Sequence, residues 1–407
     1  MPCCLVGSEM CIRDRLMLTQ TMSGGALGGA ISSAIARSMG ANNIDKAEKL
    51  IWHSIAISLC GAITFLILFL LFGKDLLYLL GGRGEILQES YEYCSVLFFG
   101  GLLIWLSGSL SAALRGMGNM RFPATLMVIA SLIQVVLSGG FILGWYGFPK
   151  LGVAGAAVAT LISSTLMVTV IILKLSSKTV PARLKRKQFI LSRDLFSNIF
   201  EVAIPASASP LLTVGTILVL TGLVGTFGTE ALAGYGIGSR VEFLMIPLIF
   251  GIGTAMTSIV GANIGASNIE RAERVGIYGG STAGVVSILI GLTLALFPDL
   301  WIHYFTDDPK AYEITKKYIQ IVGPFYAFQG IGLSLYFASQ GANAMLWPTI
   351  ATIARFIIAS VGGSISIYVL GFGIESIFLS SAIAMMIFGI MIFISLKRGA
   401  WRKDSYS

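Results

Sequence analysis

Gly40-Ala41-Asn42-Asn43-Ile44-Asp45-Lys46-Ala47-Glu48-Lys49 is a short charged stretch between two long apolar segments. It returns 225 residues later as Gly265-Ala266-Ser267-Asn268-Ile269-Glu270-Arg271-Ala272-Glu273-Arg274. Six of the ten positions are identical, and three more keep their charge: Asp45/Glu270, Lys46/Arg271 and Lys49/Arg274. The offset holds elsewhere without a gap. Gly116, Met120 and Pro123 fall on Gly341, Met345 and Pro348; Ala30 and Ser33 fall on Ala255 and Ser258; Phe72 and Tyr93 fall on Phe297 and Tyr318. Loop chemistry alone does not fix a register over such a distance, so the chain is an internal duplication.

Composition says what is duplicated. Of 407 residues, 55% are hydrophobic and 12% charged. Soluble domains carry about twice that charge, so the composition reads as a polytopic membrane protein. The net charge of +8 is then a question of loop placement, not a sign of nucleic-acid binding. Five cysteines and two distant histidines, His53 and His303, give no metal-ligand spacing and no histidine-based catalytic pair. Cys60 and Cys94 read as small core residues.

Residues 1–15, MPCCLVGSEMCIRDR, fit neither a membrane span nor a signal peptide and are read as a foreign head. At roughly 20 apolar residues per span, the first lobe, 16–175, holds spans near 16–39, 50–73, 91–114, 123–146 and 151–175. A basic linker covers 176–193. The second lobe, 194–396, holds spans near 197–225, 236–263, 275–299, 317–340, 348–370 and 373–396, and a tail covers 397–407. The expected fold is all-α: two parallel six-helix repeats with the first helix missing here, about eleven spans in all. The 197–225 helix has no counterpart, because subtracting 225 places it before residue 1. Six helices per repeat bring both halves into the membrane from the same side.

Placing the Gly40 loop in the cytoplasm puts 18 Lys and Arg residues on that side and 7 on the other, which predicts a cytoplasmic linker and C-terminus. The linker holds Lys178, Arg183, Lys185, Arg186 and Lys187 between Lys174 and Arg193. Its basic run reads first as a topology signal in a flexible tether, and second as a patch for anionic lipid or nucleic acid. Gly24, Gly28 and Ser32, four residues apart, allow close helix contact. Pro205, Pro247 and Pro324 each interrupt an apolar span.

A charge at mid-bilayer costs about 2.5–3.5 kcal/mol on insertion scales, so each one inside a span needs a reason. Glu242 is the one acidic residue well inside a predicted span, and Arg240 stands close enough in sequence to pair with it. Arg355 lies about two turns into its span, placed to snorkel or to anchor a carboxylate. Glu201 reads as interfacial. Gln134, Asn263, Tyr326, Gln329 and Gln340 are uncharged polar candidates. Asp307-Asp308 before Pro309 reads as solvated turn chemistry.

The run Glu230-Ala231-Leu232-Ala233-Gly234-Tyr235-Gly236-Ile237-Gly238-Ser239-Arg240-Val241-Glu242, then Val260-Gly261-Ala262-Asn263-Ile264-Gly265-Ala266 and Glu270-Arg271-Ala272, resembles the multidrug and toxic compound extrusion (MATE) family. Leu151-Gly152-Val153-Ala154-Gly155-Ala156-Ala157-Val158-Ala159-Thr160 is similar to that family's sixth helix. The resemblance runs from Leu16 to about Lys397. It implies two six-helix lobes around a central cavity in the plasma (inner) membrane, and export of organic, often cationic compounds driven by Na+ or H+. It also implies departures. The acidic residue often carried on the first helix is absent. Gln134 and Ser138 stand where the family commonly has Asn and Asp, and Gln329 stands where a carboxylate is found in some members. Glu242 is left as the cation candidate.

The expected function is therefore a secondary antiporter, not an enzyme. It would work as a monomer by alternating access, with no cofactor beyond the coupling ion and no nucleic-acid partner. The substrate or cation candidates are Glu242, Gln329, Tyr326, Asn263, Gln134 and Arg355. A lipid-linked saccharide flippase of the same superfamily is the alternative, disfavoured because Arg355 is the one clear intramembrane base. An integral membrane lipid-processing enzyme would need clustered Asp, Glu or His at an interface.

Overall fold

The computed structural model describes residues 26–79 and 83–402, so the head and the first ten residues of the 16–39 span lie outside the described residues. Two compact units divide between Ile199 and Phe200. The first holds α1 (26–40), α2 (Ile44–Leu79), α3 (Gly84–Phe99), α4 (Gly101–Gly116), α5 (Arg121–Leu143) and α6 (Val153–Ser176). The division falls inside α7 (Arg193–Gly225). The second unit continues with α8 (Thr229–Gly265), α9 (Ile269–Leu296), the short α10 (Asp299–Ile302), α11 (Pro309–Val322), α12 (Tyr326–Ala342), α13 (Leu346–Ile357), α14 (Gly363–Tyr368) and α15 (Glu375–Lys397). Among the described residues nine helical spans are long and apolar enough to cross a membrane, and a bent pair of helices makes ten. All ordered elements described are helical, as a chain with no water around its middle requires.

The 225-residue register governs element boundaries. Helix α5 begins at Arg121 and ends at Leu143; the α13–α14 segment begins at Leu346 and ends at Tyr368. The predicted 91–114 span is not one helix: it bends by 54° between Phe99 and Gly101. Its counterpart breaks at the same place, where a 3₁₀ turn over Gly323–Phe325 joins α11 to α12. The local causes differ. Gly100 and Gly101 tolerate the bend in the first unit, and Pro324 removes a helical donor in the second. Pro205 and Pro247, in contrast, lie inside continuous helices, together with Pro210. In an apolar surround neighbouring helices and local adjustment re-satisfy the freed carbonyls.

The two echo loops share their backbone geometry. Asn42 and Ser267 both take left-handed φ, 56° and 59°. Asn43 N–H donates to Ser38 O at 2.9 Å and Asn268 N–H to Asn263 O at 2.8 Å, the outer bond of a Schellman cap. The two identical asparagines then cap the next helices: Asn43 Oδ1 accepts from Lys46 N at 2.9 Å, and Asn268 Oδ1 from Arg271 N at 3.3 Å. A second pair of reversals follows, with Gly118 and Asn343 at φ 84° and 59°. Close helix approach repeats too. A Cβ on Gly116 would stand 2.6 Å from Ser32 O, and one on Gly341 2.4 Å from Thr257 O.

Exposure fits a bilayer. On α5 Met127, Val128, Leu132, Val135 and Val136 all face outward, and 17% of its apolar window is buried. The α11–α12 span is 61% buried and forms the centre of its unit. The 176–193 linker is not the loose tether expected from its composition. Trp52 Nε1 donates to Lys185 O at 2.9 Å and holds it against α2.

Candidate functional site

Glu242 lies on α8, where glycines at 234 and 238 let α11 come close: a Cβ on Gly238 would stand 2.4 Å from the Tyr318 ring. That approach places the Tyr318 hydroxyl on the carboxylate, to which it donates a hydrogen bond. Arg355 of α13 interacts electrostatically with the same carboxylate, so the site holds an acid and a base from different helices. Aromatic rings form the walls. Tyr318 packs edge-on against Tyr235 at 5.5 Å and Phe378 at 5.1 Å, and the Arg355 guanidinium lies 5.5 Å from the Phe388 ring centre. Tyr326, fully buried at the start of α12, belongs to the same electrostatic group.

Immediately past Arg355 the helix widens into a π turn over Ile358–Gly362. Such turns are costly and concentrate at functional sites. The Ser360 hydroxyl in this turn is buried without a hydrogen-bond partner, as is the Oε1 atom of Gln329, one turn along α12 from Tyr326. A buried polar atom left unpaired costs about 1–3 kcal/mol, so each is a costly position in its own helix.

Of the expected site residues the structure brings together Glu242, Tyr326 and Arg355. Gln134 is in the first unit, where its amide donates to Thr160 Oγ1 at 2.9 Å. Asn263 sits at the far end of α8 and donates to its own helix at Ile259 O, 2.7 Å away. The expected Arg240–Glu242 pair does not form. Residues two apart on a helix point in different directions, and Arg240 instead lies 5.5 Å from the Phe305 ring centre. Glu201 is exposed, as expected of an interfacial residue, with Asn343 Nδ2 3.5 Å from its Oε2. Asp308 caps α11, accepting from Lys310 N and Ala311 N at 2.8 and 3.0 Å, as turn chemistry predicts.

Tyr235 and Tyr318 were missed as site residues. A signal for Tyr318 existed, since the repeat pairs it with Tyr93, but nothing in sequence distinguished a tyrosine that packs from one that holds a carboxylate. No group of three or more His, Cys, Asp or Glu side chains that could hold a metal occurs among the described residues.

Known proteins share this frame. The chain is 29% identical over 328 residues to the probable multidrug resistance protein NorM of Thermotoga maritima, covering 78% of this chain and 68% of the relative. It is 23% identical over 382 residues to an FAD transporter of Shewanella oneidensis, covering 91% of this chain and 82% of that one. Among solved structures, a MATE protein in the bent conformation superposes with a TM-score of 0.90 at 25% identity, covering 98% of this chain and 89% of the other. An outward-facing multidrug resistance MATE family transporter gives 0.88 at 25% identity, covering 97% and 87%. The MatE family model matches residues 16–138 and 205–365, and its two segments end 227 residues apart, close to the 225-residue register of the duplication. The chain belongs to the MatE family and is a multi-pass membrane transporter, not an enzyme.

Proposed function

We propose that this transporter exports organic, drug-like compounds in exchange for an inward-moving cation, Na+ or H+, and that Glu242 is where the cation acts. The observation that carries the reading is the intramembrane carboxylate itself, held by Tyr318 and opposed by Arg355. With Glu242 ionised, the acid and the base balance. With Glu242 neutralised by a cation, Arg355 is left without its counter-charge, and the local arrangement of α8 and α13 changes in energy. A charge imbalance at this depth is worth several kcal/mol, enough to bias a two-state equilibrium. Multidrug relatives support the substrate class. The bias of Lys and Arg supports a cytoplasmic side for both echo loops, the linker and the C-terminus.

The test is whole-cell efflux of ethidium, measured against external pH and Na+, for the unmodified chain and a Glu242→Gln variant. Loss of the ion dependence in the variant is expected. Ion-dependent efflux that survives the substitution rejects Glu242 as the coupling residue.

Arg355 favours a second reading, an anionic cargo, in keeping with the relative that carries FAD. Competition of FAD, but not ethidium, for transport would select it.

A further inference from the structure

The segment between α6 and α7 lies along one face of α2. Asp45, Glu48 and Trp52 recur at the three- and four-residue spacing that lines up one side of a helix, His53 follows directly, and each holds the segment. Gln188 Nε2 donates to Asp45 Oδ1 at 3.2 Å. Arg183 N donates to Glu48 Oε1 at 3.1 Å, and Lys185 Nζ lies 2.8 Å from the same oxygen. The Trp52 indole bonds Lys185 O and meets the Phe189 ring edge-on at 5.0 Å. His53 Nδ1 is bonded to Lys49 O at 2.7 Å, which leaves Nε2 to accept from Ser192 N at 3.0 Å, at the foot of α7. Between these clamps Val180 and Ala182 are buried.

The duplication supplies an independent second case. Glu273 occupies the register position of Glu48 and holds the segment leaving α15. Arg402 Nε and Nη2 donate to Glu273 Oε1 and Oε2 at 2.8 and 2.7 Å. Beside it Trp401 is buried against Gly276, where a Cβ would stand 2.7 Å from the indole, and its Nε1 donates to Ser339 Oγ at 3.3 Å.

We propose that Glu48 is a latch that locks the segment between α6 and α7 onto α2 as a strap, and that Glu273 is the equivalent latch for the C-terminal segment. The physical reason is mutual dependence. The Glu48 side chain is 1% exposed, and the strap supplies both donors to its Oε1, while Oε2 is buried without a hydrogen-bond partner. A strap that loses these donors before water reaches the carboxylate leaves the charge wholly unpaired, so partial detachment is penalised. The first turn of α7 is thereby fixed to α2, and any rearrangement of the transporter must take place beyond it. The Glu273 side chain, 15% exposed, is the weaker latch because water can replace Arg402.

The test is limited trypsin digestion of the purified full chain in detergent, following cleavage after Lys185 and Lys187, with thermal unfolding measured alongside. Glu48→Gln is expected to speed cleavage at least tenfold with the unfolding midpoint little changed, because the loosening is local. Glu273→Gln is expected to leave linker cleavage unchanged and to expose the tail. If Glu48→Gln does not accumulate, Lys185→Gln, which removes the cation that Glu48 holds, is the deciding variant and is expected to speed cleavage after Lys187. Linker cleavage within twofold of the unmodified protein in Glu48→Gln, unchanged cleavage after Lys187 in Lys185→Gln, or a linker loosened by Glu273→Gln would each overturn the proposal.

Discussion

Helix α5 and the α13–α14 segment occupy the same position in the two repeats, with both ends in register, and do different things. Helix α5 is regular, carries no charge after Arg121, and turns a row of apolar side chains outward. In its partner the register places Arg355 where α5 has the buried Ala130, and a π turn where α5 has Gln134 and its neighbours. Duplication thus preserved this span, the preceding break and the loop geometry, while the polar chemistry became asymmetric. A frame held by backbone caps and close glycine contacts leaves its internal side chains free to diverge.

The comparison breaks most visibly at Arg355. Arg355→Leu removes the base that interacts electrostatically with Glu242 and is expected to cost about 3 kcal/mol, the scale of one uncompensated charge inside an apolar span. Combining it with Glu242→Leu is expected to recover most of that loss. Thermal unfolding in detergent reads both, and an additive double variant would mean that the two residues are not partners. Gly341→Ala and Gly116→Ala test the shared frame. Each forces a methyl against a carbonyl oxygen on the neighbouring helix, and each is expected to cost about 2 kcal/mol, the second-unit change slightly more. Denaturation in graded SDS measures them; a neutral result at one site alone would show that the two helix contacts are not equivalent. The smallest effect belongs to the caps. Asn43→Ala and Asn268→Ala are each expected to lose about 1 kcal/mol, because each strips one helix N-terminus of its acceptor. Hydrogen exchange confined to the first turns of α2 and α9 reports this, and protection left intact would argue that the surrounding packing holds those turns.

Much of the architecture is legible in the sequence alone. The repeat, its six-helix period and the apolar spans follow from hydrophobicity and register, which are one-dimensional properties. The Asn43 and Asn268 caps are local interactions across three residues, so the repeat carries both intact. The break at Gly100 was not visible, since glycine permits a bend without requiring one. The strap was misread for a related reason. Its basic composition is that of a flexible tether, and only the position of a carboxylate some 135 residues earlier in the chain turns Arg183 and Lys185 into a docked segment.

The site divides in the same way. Glu242 and Arg355 stood out because charge inside an apolar span is costly wherever it occurs. Their relation did not, because α8 and α13 meet only in the folded unit. Sequence proximity favoured Arg240 as the partner, yet helical geometry turns it toward Phe305 and gives the carboxylate to Tyr318. By itself the amino-acid sequence determined that this chain crosses a membrane as a duplicated set of helices, since burial and capping act over short distances. The tertiary structure decided which charged groups face one another, since in an apolar surround a charge lowers its cost by meeting a partner that another helix brings to it.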